Sequence, residues 1–166
     1  RQHVFNNVIW PDFTRLPHEG RPILELVPFR TGDHLALAGL QIEVLPAWHT
    51  APACGFAVDT PSGLWVFTGD TGPNPALWER LRGRPIAQLV IETAFNDDER
   101  ALAEISRHLS PSMLAAELLH LDVDSDTSIA ITHVKPGEMA AVTGQLAALD
   151  LPLPVFALTR GERYRF

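Results

Sequence analysis

The chain has 166 residues and a formal net charge of −7 at neutral pH, with 46% apolar and 20% charged residues. That composition belongs to a folded globular chain of about one domain, and its acidic balance excludes a nucleic-acid groove built on general basicity. A small phosphate ester held by a metal remains compatible. A single cysteine, Cys54, rules out an internal disulfide, and no apolar run approaches the ~20 residues of a membrane-spanning helix.

Residues 1–20 read as loop, because Asn6-Asn7, Pro11, Pro17 and Gly20 break every candidate period. A short strand is predicted over 23–27, followed by a turn at Thr31-Gly32-Asp33. "HLALAGLQIEVLPAW" reads as a hairpin pivoting near Gly39, and "CGFAVDTPSGLWVFTGD" as a second hairpin turning through Thr60-Pro61-Ser62-Gly63. A short helix fits 75–81, with proline at its first position, and a strand covers 88–91. A helix over 98–108 has Leu102, Ile105 and Leu109 on its apolar face. Ser110-Pro111 starts another helix, with serine as N-cap and Leu114, Leu118 and Leu121 facing inward. A polar break at 122–126 precedes a strand over 128–132, a helix over 136–149, and short strands at 155–157 and 162–166. Two hairpins followed by β-α-α-β-α-β imply an α/β fold with sheet covered by helices.

The chemistry collects where strands end. The strand ending "LPAW" leads to His49, "LWVF" to Asp70, "QLVI" to Glu92, and "SIAIT" to His133. Taken singly, each has an ordinary role: Asp70 as a turn former in Thr-Gly-Asp-Thr-Gly, the histidines as loop or strand-end residues, Glu92 as a capping carboxylate. Taken together they place a metal-capable or proton-carrying group after four strands. Two imidazoles and a carboxylate suit zinc, or iron and manganese in related sites. His108, close to the start of the helix at Ser110-Pro111, is a further candidate, as a proton donor to a leaving oxygen. His3, His18, His34 and His120 have no such setting, and Cys54 has no base near it in sequence.

The set His49 in "PAWHT", Asp70 in "FTGDTG" and His133 in "ITHVKP" resembles the metallo-β-lactamase-fold hydrolases. Within that superfamily, "FNNVIWPDF" and "ETAFNDDERALAEISRHLSPSMLAAELLHL" are similar to class II 3′,5′-cyclic-nucleotide phosphodiesterases. Their Ser-x-His-Leu-(Ser/Thr)-Pro segment is matched by Ser106-Arg107-His108-Leu109-Ser110-Pro111. The resemblance implies an αββα sandwich with two divalent ions, Zn or alternatively Fe or Mn, at one edge of the sheets. Asp70 would bridge the ions, with His49 on one and His133 on the other. His108 would protonate the leaving O3′, steadied by Glu92. The implied substrate is a small phosphodiester, converted to a 5′-nucleotide, with neither membrane nor nucleic acid as partner.

The superfamily's first signature, H-x-H-x-D-H, is absent: no two histidines are separated by one residue. With Arg1 as its first residue, the chain is therefore expected to be the C-terminal portion of one metallo-hydrolase domain, partnered by an N-terminal half outside these residues. Two other readings compete. A tRNA 3′-end processing ribonuclease of the same superfamily also resembles "ETAF…H…THVKP", and a non-catalytic scaffold would account for the missing signature.

Overall fold

The computed structural model describes residues 3–121 and 126–163. The chain divides into two compact units, residues 1–30 and 31–166.

In the first unit, β1 (Pro17–His18) and β2 (Arg21–Pro22) pair antiparallel around Glu19 and Gly20, both at positive φ. Phe5 and Phe13 meet edge to face at 5.7 Å, and the buried Asp12 carboxylate accepts the Thr14 N–H at 3.2 Å. The strand expected over 23–27 does not form. Pro22 and Pro28 bracket that run without donors of their own, and Ile23, Leu26 and Val27 remain exposed.

The second unit is a seven-stranded mixed sheet whose spatial order is the chain order. The strands β3 (His34–Leu37) and β4 (Leu40–Pro46) form the first hairpin. Ala38 and Gly39 turn it, both at positive φ, the geometry of a two-residue loop that matches strand twist. The second hairpin joins β5 (Cys54–Thr60) to β6 (Gly63–Phe67), and its corner is tied by the Thr60 hydroxyl donating to the Gly63 carbonyl at 2.6 Å. From there pairing turns parallel: β7 (Ile86–Glu92), β8 (Ser128–Thr132) and β9 (Val155–Ala157) add in sequence. The crossovers are α1 (Pro75–Leu81), then α2 (Arg100–Ser106) and α3 (Pro111–Leu118), then α4 (Met139–Ala147).

One sheet face supplies Leu45, Ala57, Val66, Leu89, Ile91, Ile129 and Ile131 to a core shared with Leu77, Trp78, Leu114, Leu118 and Val142 of the helices. The other face carries half-buried Phe56, Val58, Trp65 and Phe67. This mixed sheet with flanking helices is the α/β architecture implied by the strand order, and the described residues form one large sheet of it. No helix among them is long and apolar enough to cross a membrane.

Two helices depart from expectation. The helix expected over 98–108 is a 3₁₀ turn (Asp97–Glu99) followed by α2, which stops because Arg107 takes a left-handed φ of 58°. Its buried residue is Ala103, whereas Leu102 and Ile105 face solvent. Ser110 occupies the N-cap of α3 as expected but makes no side-chain cap bond. The Asp97 carboxylate caps instead, accepting the Ser112 N–H at 3.0 Å and the Ser110 hydroxyl at 2.6 Å. A charged acceptor at a helix N-terminus is stronger than a hydroxyl. Residues 162 and 163 form no strand, and the rest of the strand expected over 162–166 lies outside the described residues.

Candidate active site at the sheet edge

His49, Asp70, Glu92 and His133 all fall at or just beyond the ends of β4, β6, β7 and β8. Antiparallel β4 and β5 and the parallel run that follows bring these ends to one edge of the sheet, so residues as far apart in sequence as His49 and His133 join one cluster. His108 enters from the α2–α3 connection. Its ring centroid lies 4.7 Å from that of His49 and 5.2 Å from that of His133, and the His133 Nε2 is 3.6 Å from Asp70 Oδ2. The structure thus brings all five candidates together. His3, His18, His34 and His120 are exposed.

Glu92 is the hub. Its side chain is buried, and one oxygen accepts the Thr71 N–H at 2.9 Å and faces His108 Nδ1 at 2.6 Å. The other accepts the Leu109 N–H at 3.2 Å. Thr71, next to Asp70, continues the network: its hydroxyl accepts the Trp48 N–H at 2.9 Å, and the Gly72 N–H donates to the Trp48 carbonyl at 2.8 Å. A single carboxylate therefore ties the loop of Asp70 to that of His108, and through Thr71 to that of His49. Burial dominates its ionisation, pushing Glu92 up to about 8 against the opposing N–H bonds of Leu109 and Thr71. Burial likewise pushes His108 down to about 4, helped by the positive charge of Lys135 and the neighbouring His49 and His133. The buried pair therefore carries one proton between those limits.

His49 turns its Nδ1 to the Arg107 carbonyl at 3.2 Å. A carbonyl only accepts, so Nδ1 carries the proton and Nε2 keeps its lone pair. Lys135 Nζ lies 3.1 Å from His133 Nε2 and donates to it, which places the lone pair on that nitrogen too. His133 holds a left-handed φ of 65°, unusual for a non-glycine residue and common where function over-determines the backbone.

The donor chemistry fits a divalent cation in part. His49 Nε2, His133 Nε2 and the 40%-exposed Asp70 carboxylate all offer lone pairs, and an ammonium already sits against one of them. Among the described residues, however, no three His, Cys, Asp or Glu side chains close into a metal cage. Sequence reasoning missed Thr71, Lys135, Trp48 and Arg107. Thr71 and Trp48 adjoin predicted residues and Arg107 lies inside "SRHLSP", but a hydrogen-bond hub and a left-handed arginine leave no sequence signal.

No protein-family model and no curated protein matches the chain. Solved structures do match. Unliganded yeast PDE1 superposes with a TM-score of 0.78 at 18% identity, over 96% of this chain and 55% of its own. The metallo-β-lactamase fold protein YhfI from Bacillus subtilis matches with a TM-score of 0.68 at 13% identity, over 95% of this chain and 61% of its own. The isothiocyanate hydrolase from Delia radicum gut bacteria gives 0.62 at 15% identity, over 87% and 60%. The chain carries the metallo-β-lactamase fold. It spans little more than half the length of yeast PDE1.

Proposed function

We propose that the chain is the C-terminal portion of a metal-dependent phosphodiesterase that hydrolyses 3′,5′-cyclic nucleotides to 5′-nucleotides. The observation that carries this reading is the buried Glu92–His108 pair opening among His49, Asp70 and His133. An alkoxide leaving group calls for such a proton reservoir, whereas a non-catalytic scaffold has no use for one. The shared fold with yeast PDE1 supports the same substrate class.

His49, Asp70 and His133 would hold part of a site for two divalent ions, Zn or alternatively Fe or Mn, and the remaining ligands would have to come from outside these residues. When bound, such ions activate water and neutralise charge on the phosphoryl oxygens.

The protein's own share is the proton. With Glu92 held protonated up to about 8, its hydroxyl donates to His108 Nδ1, so the neutral imidazole carries its proton on Nε2. As the leaving oxygen departs it takes the Nε2 proton, and Nδ1 takes the proton of Glu92. The pair ends as a carboxylate and a neutral imidazole, with the new charge received by the N–H groups of Thr71 and Leu109.

Incubating the intact protein with 3′,5′-cyclic AMP, with and without chelator and beside an Asp70→Ala control, tests the reading. The expected result is chelator-sensitive release of 5′-AMP that the substitution abolishes. Intact metal binding with no turnover of any cyclic nucleotide would overturn it in favour of another ester, the tRNA 3′ end included.

A further inference from the structure

Arg107 does more than separate Ser106 from His108. Its carbonyl accepts from His49 Nδ1 at 3.2 Å, and its own Nη1 donates to the His49 carbonyl at 3.0 Å. The two residues thus bond reciprocally across the cluster, main chain of one to side chain of the other in both directions. The guanidinium carbon lies over the Trp48 ring, 4.0 Å from its centroid, a cation–π contact of the kind arginine makes most often. The backbone is equally committed: φ is 58° at Arg107, and Gly72 lies so close that a Cβ there would sit 3.3 Å from Arg107 Cα.

We propose that Arg107 is a positioning residue that fixes the tautomer and orientation of His49, so that His49 presents an unprotonated Nε2 to a cation. An imidazole free to turn samples both tautomers, and only one offers a lone pair at Nε2. The Arg107 carbonyl selects that tautomer by accepting from Nδ1. The carbonyl is itself held in place by the arginine's fork on His49 O and by the stack on Trp48, so the clamp closes from both ends. Partners that orient a ligating imidazole typically matter 10–100-fold in metal affinity or activity. The stack leaves Trp48 53% exposed, so the indole acts as a backing plate for the guanidinium more than as core. This assignment rests on reading His49 as a ligand, but its first readout does not require metal.

The experiment compares the intact wild type with Arg107→Gly, Arg107→Lys and Trp48→Ala. Glycine accepts the left-handed turn without strain and keeps the carbonyl, so the turn survives while the bond to the His49 carbonyl and the stack on Trp48 are lost. In the metal-free protein in alkaline buffer, long-range ¹H–¹⁵N spectra should show His49 protonated at Nδ1 alone in the wild type. Both Arg107 variants should show a mixture. Competition against a chromophoric zinc chelator should then show a 10- to 100-fold loss of Zn²⁺ affinity for both Arg107 variants, with a smaller loss in Trp48→Ala, which removes the stack but keeps the bond to the His49 carbonyl. A His49 spectrum unchanged in Arg107→Gly, or Zn²⁺ affinity undiminished in that variant, would overturn the proposal. A wild type with the expected tautomer and no zinc affinity would instead count against the metal reading and leave the clamp standing.

Discussion

Asp70 and His108 are expected to fail differently when removed. Asp70 offers its carboxylate at the exposed rim of the cluster, whereas His108 is buried on Glu92. Asp70→Ala should therefore abolish hydrolysis of every diester. His108→Ala should lower the rate on cyclic AMP about 10²–10⁴-fold while retaining activity on an activated aryl diester, whose leaving group needs no proton. Steady-state rates on both substrates decide the matter, and equal damage on both would remove the proton-donor role. The sign of the pH effect follows from the same pair. Because Glu92 loses its proton only as pH rises through about 8, assistance to cyclic AMP should fade above that point and the aryl substrate should show no such limb. At this scale the sequence is informative about His49, Asp70, His108 and His133, since each sits where a strand or helix signal stops. It is silent on what bonds to what: Glu92 could be a cap, a salt bridge or a hub, and only the fold decides that it accepts from Thr71 and Leu109.

The element that delivers Asp70 is a tight fit. Gly69 has a φ of 65°, and a Cβ added there would fall on the Cys54 carbonyl of β5, against a backbone that cannot yield cheaply. Gly69→Ala should cost about 2–4 kcal/mol, read by urea unfolding at constant pH, and a loss within the few tenths typical of surface changes would refute this account. Elements marked by two concordant signals are legible in the sequence. Proline at the first position predicts α1 over 75–81, and the structure adds a cap, the Asn74 side chain accepting the Leu77 N–H at 3.2 Å. The hairpin loops at Ala38-Gly39 and Pro61-Ser62 are equally clear from glycine placement. Elements marked by one signal are not legible. Apolar content alone suggests a strand over 23–27, but Pro22 and Pro28 bracket the run and it forms none. Apolar spacing puts Leu102 and Ile105 on the inner face of α2, but a two-turn helix stopped by a left-handed arginine turns them outward.

For the whole molecule, the Glu92–His108 pair sets a pH profile of stability. Folding raises Glu92 from 4.5 to about 8 and lowers His108 from 6.5 to about 4. The Glu92 contribution is complete below pH 4.5 and is lost as pH rises to about 8. The His108 contribution runs the other way: stability falls as pH drops from 6.5 to about 4, because the unfolded imidazole binds a proton that the folded one refuses. Between 4.5 and 6.5 the two slopes cancel and the pair contributes a plateau. From 6.5 to 8 only Glu92 acts, and the metal-free protein should lose about 2 kcal/mol at 1.36 kcal/mol per unit. Urea unfolding at stepped pH checks this. Glu92→Gln, which cannot ionise, should lack the alkaline loss, and a wild type equally stable at pH 6.5 and 8 would refute the assignment. The order of the sheet has a consequence of a different kind. Because every strand from β4 to β9 pairs with its predecessor in the chain, a ribosome releasing this polypeptide supplies each of them to an edge that already exists. After β3, no strand of this sheet has to wait for a later one before it can pair, and the strand that leads to His133 closes the cluster late, after those that lead to His49, Asp70 and Glu92 have emerged.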